Sequence, residues 1–100
     1  MQATTNVSEG RATVTLKGRF DFNAHREFRA AVDEAVSRST REVVVDFGGV
    51  DYLDSSALGM LLMLRDKAKE AARDVSLVNC RGSVKQVIDI ANFGKLFKIS

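Results

Sequence analysis

The segment VVVDFGGVDYLDSSALGMLLMLRDKAKE, residues 43–70, contains the pattern that decides the fold. Residues 42–47, EVVVDF, are apolar and β-branched up to Asp46, which is typical of a central strand buried on both faces. The turn GGVDY, residues 48–52, leads into a long helix predicted over residues 55–73. A buried strand that passes through a short turn into a helix indicates an α/β domain.

Strands and helices alternate on both sides of this segment. Besides the central strand, the apolar patterning predicts further strands at residues 2–8, 11–18, 75–80 and within 95–100. Helical spacing predicts one helix over residues 23–38, capped by Asn23, and another that begins at Ser83 and ends at Gly94. The first two strands can pair as a hairpin. We therefore expect one α/β domain over residues 1–100, with a mixed sheet of four to five strands and helices mainly on one face.

The composition is that of an ordinary globular protein and argues against several classes of function. Of the 100 residues, 45% are hydrophobic and 28% are charged, and the formal net charge is only +2. The charges are scattered along the sequence, which argues against nucleic-acid binding. The single cysteine excludes an internal disulfide, and no Cys/His cluster has the spacing of a zinc site. The N-terminus does not resemble a signal peptide, and the longest apolar run is too short to span a membrane, so we expect a cytoplasmic protein.

The long helix has more apolar residues than one packing face requires, and the surplus lies at its start. At 100° per residue, a continuous core stripe contains Ala57, Met60, Leu61, Leu64, Ala68, Ala71 and Ala72. Leu58, Leu62 and Met63 fall outside this stripe. Either neighbouring elements bury them, or they form an exposed apolar patch for a protein partner. In the second case, Gly59 would let a partner backbone approach closely.

Asp54, Ser55 and Ser56 interrupt this apolar passage where the helix begins. One interpretation is structural, because Asp54 or Ser55 can cap the free backbone N–H groups of the helix. The other is that a serine is phosphorylated, since a helix N-terminus stabilises negative charge. A phosphate would then join Asp46, Asp51 and Asp54 beside the apolar patch and disrupt a contact without unfolding the protein.

Enzymatic interpretations find little support in the sequence. The only histidine, His25, is expected to be solvated, and no nucleophile-elbow or phosphate-loop motif occurs. Asp46, Asp51 and Asp54 could hold Mg²⁺ as in phospho-accepting receiver domains, but the acidic pair and the lysine of a receiver are not evident. Cys80 ends an apolar strand and is expected to be a buried small hydrophobe.

Residues 43–70 resemble the central signature of the STAS domain, specifically that of the bacterial anti-sigma factor antagonists. In that family a strand is followed by Asp-Ser-Ser/Thr-Gly-Leu-Gly at the start of a helix, and here Ala57 replaces the first of these glycines. The loop GRFDFNAHREF, residues 18–28, resembles the family's Gly-x-Leu-Asp segment. The resemblance covers nearly the whole chain. It also implies that the longer C-terminal helix of many relatives is missing or reduced here, and we expect a monomer or a weak dimer.

The resemblance implies a role for each residue of the motif. Ser55 would be phosphorylated, Asp54 would hold this serine and contact the partner, and Ser56 would cap or shape the helix start. Asp21 would flank the same surface, and Asp46 would end the strand beneath it. The other expected partner contacts are Leu58, Gly59 and Leu62.

The mechanism that the resemblance implies is partner switching. The unphosphorylated protein would bind an anti-sigma factor, which is a serine kinase of the histidine-kinase-like ATPase type, and would thereby release a sigma factor. Phosphate on Ser55 would break this contact, and a phosphatase of the PP2C type would restore it. The protein would regulate transcription as a phosphoprotein, without a cofactor and without catalysing a reaction itself.

Two alternatives remain open at this stage. The chain could be a constitutive STAS subunit of a transporter or signalling complex, although such a contact does not need a hydroxyl at Ser55. It could also be an enzyme or nucleotide-binding protein, in which the acidic residues hold a metal-bound nucleotide. Saturable nucleotide binding by the isolated domain would favour this third possibility.

Overall fold

A computed structural model describes residues 1–100 as a five-stranded sheet with three α-helices. The strands are β1 (Gln2–Ser8), β2 (Arg11–Phe20), β3 (Glu42–Leu53), β4 (Asp74–Val78) and β5 (Lys98–Ile99). The helices are α1 (His25–Arg38), α2 (Ser55–Glu70) and α3 (Gly82–Ile90), and two short 3-10 helices are formed by Phe22–Ala24 and Phe93–Lys95. No helix has both the length and the apolar character needed to cross a membrane.

The strands lie in the order β1-β2-β3-β4-β5, and the sheet is mixed as predicted. β1 and β2 are antiparallel, whereas every other neighbouring pair is parallel. The β1–β2 turn places Glu9 at φ 54° and Gly10 at φ 82°. Positive φ at both central residues is the geometry of a two-residue hairpin turn, whose twist matches that of the strands.

The hydrophobic core lies between the helices and one face of the sheet. Alternate strand residues contribute to it, among them Ala12, Val14, Leu16, Val43, Val45, Phe47 and Leu77. They pack against buried side chains of all three helices, including Phe28, Val32, Leu61, Leu64 and Ile88. Val44 is buried but lies outside this core, beside Thr13 and Ser76 on the other face. β3 is therefore the central strand, as predicted, with buried residues on both faces and the main core on one of them.

β3 continues through residues 48–52, where the sequence predicted a turn. Two irregularities in the β2–β3 register absorb the extra residues. At Gly49, an added Cβ would lie 2.9 Å from the carbonyl oxygen of Leu16 and 2.7 Å from Lys17 Cγ. The glycine is required because the two backbones approach closely. As a result, Phe20 pairs with Leu53, and both strands end at the same edge of the sheet.

Several predicted helix boundaries are wrong by a few residues. α2 ends at Glu70, and Ala72 adopts φ 59°, so the last two alanines of the predicted core stripe lie beyond the helix. α1 begins after a 3-10 turn whose cap is Asp21, not Asn23. α3 begins at Gly82 without a side-chain cap and ends at Ile90, because Asn92 adopts φ 59°.

Candidate partner-binding site

Asp54 caps α2 and leaves the hydroxyl of Ser55 free. Asp54 has extended backbone angles, and its Oδ1 accepts a hydrogen bond of 3.1 Å from the backbone N–H of Ala57. This is the N-cap geometry, which makes Ser55 the first residue of the helix. The side chain of Ser55 is exposed, and neither serine makes a side-chain hydrogen bond, so the predicted cap role of Ser56 is wrong. The structural need for a cap is met without either hydroxyl.

The loop after β2 lies beside the start of α2. The backbone N–H of Asp54 donates to the carbonyl of Phe20 at 3.3 Å, which joins the ends of β2 and β3. The next residue, Asp21, begins the 3-10 helix, and its Oδ1 accepts a hydrogen bond of 3.0 Å from the N–H of Asn23. This 3-10 helix contacts α2. Asp21 therefore lies at the start of a 3-10 helix that contacts α2, and its role in binding stays a prediction.

The exposed face of α2 continues from Ser55 through small and apolar residues. At 100° per residue, Leu58, Gly59 and Leu62 lie within about 60° of Ser55, and Leu62 is about 10 Å further along the axis. Gly59 is exposed, and an added Cβ would meet no atom within 4 Å. Leu62 is 38% exposed, whereas Leu58 and Met63 are half-buried against the core. The apolar surplus is thus partly covered by the protein itself and partly exposed.

Sequence reasoning missed Phe22, which is the most exposed aromatic side chain at 73%. It lies in the 3-10 helix that contacts α2, next to Asp21. The available signal was an aromatic residue in the polar loop before a helix. We define the Ser55 face as the surface formed by Asp21, Phe22, Asp54, Ser55, Leu58, Gly59 and Leu62.

Arg19 and Tyr52 were also missed, and they support this surface from the other side of the sheet. They are paired across β2 and β3, and their neighbours Phe20 and Leu53 point into the core. The guanidinium carbon of Arg19 lies 4.1 Å from the centroid of the Tyr52 ring, and Arg19 Nε lies 3.5 Å from Asp21 Oδ2. Arg19 thereby holds one end of the loop that carries Asp21.

The structure does not bring the predicted acidic residues together. Asp46 does not end β3; it lies roughly 25 Å before Asp54 along the strand. Its Oδ1 accepts hydrogen bonds from Gly48 N–H at 2.8 Å and from Asn79 Nδ2 at 2.9 Å. Asp46 thus connects β3 to the loop after β4, and the expectation that it surrounds Ser55 is wrong. No group of three or more His, Cys, Asp or Glu side chains has the arrangement of a metal site.

The two residues weighed as reactive groups lie apart from the Ser55 face. His25 is exposed at the start of α1. Cys80 is buried as predicted, and burial raises the pKa of its thiol to about 11. A thiol with so high a pKa stays protonated at neutral pH and is a poor nucleophile.

Comparison with known proteins identifies the family. A family model described as Mlab, STAS domain, matches residues 3–98. A STAS-domain containing protein of Pseudomonas aeruginosa is 51% identical over 88 residues, which are 88% of this chain and 86% of the relative. BtrV of Bordetella bronchiseptica, named as an anti-sigma factor antagonist, is 23% identical over 100 residues, which are 100% of this chain and 86% of the relative.

Solved structures with this fold include proteins of different roles. The anti-sigma factor antagonist SpoIIAA from Bacillus superimposes in its unphosphorylated form with a TM-score of 0.74 at 21% identity, over 98% of this chain and 86% of that one. Its phosphorylated form gives 0.71 at 20% identity, over 98% and 90%. A sulfate transporter family protein from Wolinella succinogenes gives 0.77 at 11% identity, over 94% and 79%. These likenesses concern the fold, which transporters and regulators share.

Proposed function

Because the chain belongs to the STAS domain family, we propose that it is an anti-sigma factor antagonist in a partner-switching pathway. Its unphosphorylated form binds an anti-sigma factor, a serine kinase of the histidine-kinase-like ATPase type, and a sigma factor is released. The kinase transfers phosphate from ATP to Ser55, which ends binding, and a PP2C-type phosphatase reverses the modification. The protein acts in the cytoplasm, by binding rather than by catalysis.

The observation that carries this proposal is that Asp54, and not Ser55, caps the helix. The carboxylate of Asp54 caps α2, and the hydroxyl of Ser55 is exposed without an intramolecular hydrogen bond. A kinase can therefore reach this hydroxyl without unfolding the helix. An alternative role for Ser55 would have to account for an exposed hydroxyl that lies between acidic and apolar side chains.

Phosphorylation would change the Ser55 face strongly while preserving the fold. The backbone N–H groups of Ser55 and Ser56 donate no hydrogen bond within the protein, and such groups at a helix N-terminus stabilise a phosphate. The same phosphate adds about −1.5 to −2 charges beside Asp54 and near Leu58. A partner shaped for the unmodified surface then meets added negative charge and a bulky, hydrated group. Like-charge and desolvation costs at an interface amount to several kcal/mol.

Two relatives support the proposal by what they are named. BtrV, which aligns with the whole of this chain, is named as an anti-sigma factor antagonist. SpoIIAA has been solved in unphosphorylated and phosphorylated forms. A protein of this fold can thus carry a phosphate and still be folded.

The proposal is tested by recovering the partner from the source cells and measuring its affinity for three variants. Ser55→Ala should bind within about threefold of the wild type, whereas Ser55→Asp should bind at least about 100-fold more weakly, equivalent to roughly 2.7 kcal/mol. Ser56→Asp is the matched control, because it adds the same charge at the half-buried neighbouring position, and it should lose less affinity than Ser55→Asp. Peptide mass spectrometry on protein from the same cells should map one phosphate to Ser55.

Equal affinity of Ser55→Ala and Ser55→Asp for the recovered partner would contradict the proposal. That outcome would favour the second candidate, a constitutive subunit of a transporter or signalling complex. The sulfate transporter family protein that shares the fold is the observation in favour of this candidate. It predicts stable co-purification with large-complex or membrane subunits, equally for both variants and without phosphate on Ser55.

A further inference from the structure

A second surface lies at the opposite end of α2, where basic side chains surround an open cavity of about 310 Å³. The bases come from α2, from the turn after it, from the second 3-10 helix and from the start of β5: Arg65, Lys69, Arg73, Lys95 and Lys98. Asp74 is the only acidic residue in the lining. Five cations and one carboxylate carry a local formal charge of +4, which is twice the net charge of +2 on the whole chain. We call this surface the basic cavity.

None of the five bases of the basic cavity forms a direct ion pair within the protein, although Lys98 lies near enough to Glu42 to help lower the pKa of that carboxyl. The ion pairs of the chain involve Arg11, Arg19, Arg38, Lys67 and Lys85, none of which lines the cavity. Arg65 and Lys69 even lie one turn apart on α2, where like charges destabilise a helix. A cluster whose like charges repel one another, and which has no direct acidic partner within the protein, is suited to an external anion.

Backbone carbonyl groups hold two of the cavity's guanidinium groups in place. Arg65 Nε donates to the carbonyl of Leu96 at 3.3 Å, and Arg73 Nε donates to the carbonyl of Ser39 at 2.9 Å. These bonds orient the guanidinium groups and leave their charge uncompensated. Arg73 Nη1 also donates to the carbonyl of Ala71. The remaining N–H donors of each guanidinium can still bind a carboxylate.

The cavity also has an apolar floor, formed by Val75, Leu96 and Phe97. Leu96 is 38% exposed, and Val75 is half-buried. Small inorganic anions gain nothing from such a floor. An apolar centre within a charged rim is the usual anatomy of a protein interface.

We propose that the basic cavity binds an acidic segment of a partner protein, with carboxylates on the rim and an apolar side chain on the floor. Lys69, Lys95 and Lys98 are exposed, and no buried donor converges on one point, as a site for a small phosphate would require. The cavity is open, which suits a chain that passes through it. Charge complementarity thus selects an acidic peptide as the occupant.

Binding here is independent of the proposed phosphorylation of Ser55. At 1.5 Å per residue, Arg65 and Lys69 lie about 15 and 21 Å along α2 from Ser55. The Debye length at physiological ionic strength is about 8 Å, so a phosphate on Ser55 is largely screened from the cavity. The protein can therefore stay bound to one partner through the basic cavity while phosphorylation releases another partner from the Ser55 face.

The test is a titration of the ¹⁵N-labelled chain, followed by amide NMR shifts, with an acetylated peptide of repeated Glu-Glu-Leu triplets. Shifts should concentrate in residues 65–75 and 95–98, and a Gln-Gln-Leu peptide of equal length should bind at least about tenfold more weakly. The double variant Lys69→Glu/Lys95→Glu should lose at least about tenfold in affinity. The matched control Arg26→Glu/Arg29→Glu changes the net charge equally, at exposed positions of α1 without ion pairs, and should lose less than about threefold.

Four results would contradict this inference. Equal losses in the two double variants, or shifts spread over all basic residues, would mean a general charge effect. Inorganic phosphate that moves the same resonances and displaces the peptide would mean a small-anion site. Loss of peptide binding in Ser55→Asp would contradict the independence of the two surfaces, whereas unchanged binding is expected whether or not Ser55 is phosphorylated in cells.

Discussion

Replacing Asp54 and Ser55 separately by alanine tests which of the two side chains caps the N-terminus of α2. The interpretation of Ser55 as a modification site depends on Asp54 being the cap, because a capping serine would have a sufficient structural role. Asp54→Ala should destabilise the protein, and Ser55→Ala should not. The two substitutions are at adjacent positions, so they compare the two side chains directly.

The expected magnitude follows from the contacts of Asp54. Its side chain accepts one hydrogen bond, from the N–H of Ala57 at 3.1 Å, and it places a negative charge at the helix N-terminus. Loss of an N-cap costs about 0.5–2 kcal/mol. The N–H of Ala57 also bonds the backbone carbonyl of Asp54, so it keeps one partner after the substitution. We therefore expect a loss of about 1 kcal/mol for Asp54→Ala.

Two further variants separate the hydrogen bond from the charge. Asp54→Asn keeps an acceptor at the cap and should lose only about 0.3–0.5 kcal/mol, the contribution of the charge to the helix dipole. Ser55→Ala should stay within about 0.5 kcal/mol of the wild type, because it removes an exposed side chain that makes no hydrogen bond.

The assay is urea denaturation followed by far-ultraviolet circular dichroism. For a small domain, a slope of about 1 kcal/mol per M converts the loss in Asp54→Ala into a midpoint shift of about 1 M. Thermal unfolding provides a second measurement, since 1 kcal/mol corresponds to about 4–8 °C in a domain of this size. Equal slopes for all variants would show that only stability has changed.

The reverse order of stabilities would refute the reasoning. If Ser55→Ala lost about 1 kcal/mol and Asp54→Ala lost nothing, Ser55 would be the cap. The exposed hydroxyl would then have a structural explanation, and the proposed phosphorylation would lose its main support.

Three other predictions follow from burial and charge. Leu61→Ala should lower the free energy of unfolding by about 2–5 kcal/mol because this side chain is fully buried. Leu62→Ala on the exposed face should change the free energy of unfolding by less than about 0.5 kcal/mol. Equal costs for the two variants would contradict the assignment of the buried and exposed faces of α2. A hydrogen bond from Ser76 and the pairing with Arg11 lower the pKa of Glu42, so the ionised carboxylate stabilises the protein above a pH of about 4.5 and this stabilisation is lost on acidification. Glu42→Gln should therefore reduce the fall of the melting temperature between neutral and acidic pH. An unchanged pH profile in this variant would contradict the role of Glu42. Cys80, with its pKa raised to about 11, should react with a thiol reagent at least about 100-fold faster in urea than in buffer at pH 8, and similar rates would show that it is accessible.

Local patterns in the sequence were sufficient for the type and order of the main elements. The alternation in residues 11–18, the helical spacing in 23–38, and the apolar run before Asp46 each depend on neighbours within a few residues. The hairpin between β1 and β2 follows from its turn, and the mixed sheet follows from the hairpin. These features are local, so the period of the side chains reveals them.

The boundaries that failed depend on pairing between distant segments. The glycines after Phe47 are typical of a turn, but β2 supplies partners for them, and β3 continues to Leu53. Asn23 is a natural cap by residue type, but Asp21 takes this role because the chain leaves β2 in a 3-10 turn. For β3 a tertiary pairing overrode a local preference, whereas for Asp21 the deciding contact is local and only the backbone conformation reveals it.

For the candidate site, the sequence by itself identified Asp54-Ser55-Ser56 and the apolar surplus of the helix, because motif and helical spacing are local properties. Only the fold decided that Asp54 is the cap, since this depends on its extended backbone angles. The register between Phe20 and Leu53 brought Asp21 and Phe22 to the same edge. The basic cavity is the clearest example: its five bases are scattered among acids between residues 65 and 98 and look unremarkable in the sequence. They converge because β4 and β5 pair beside the end of α2, and charge density is a property of distances in space rather than of order along the chain.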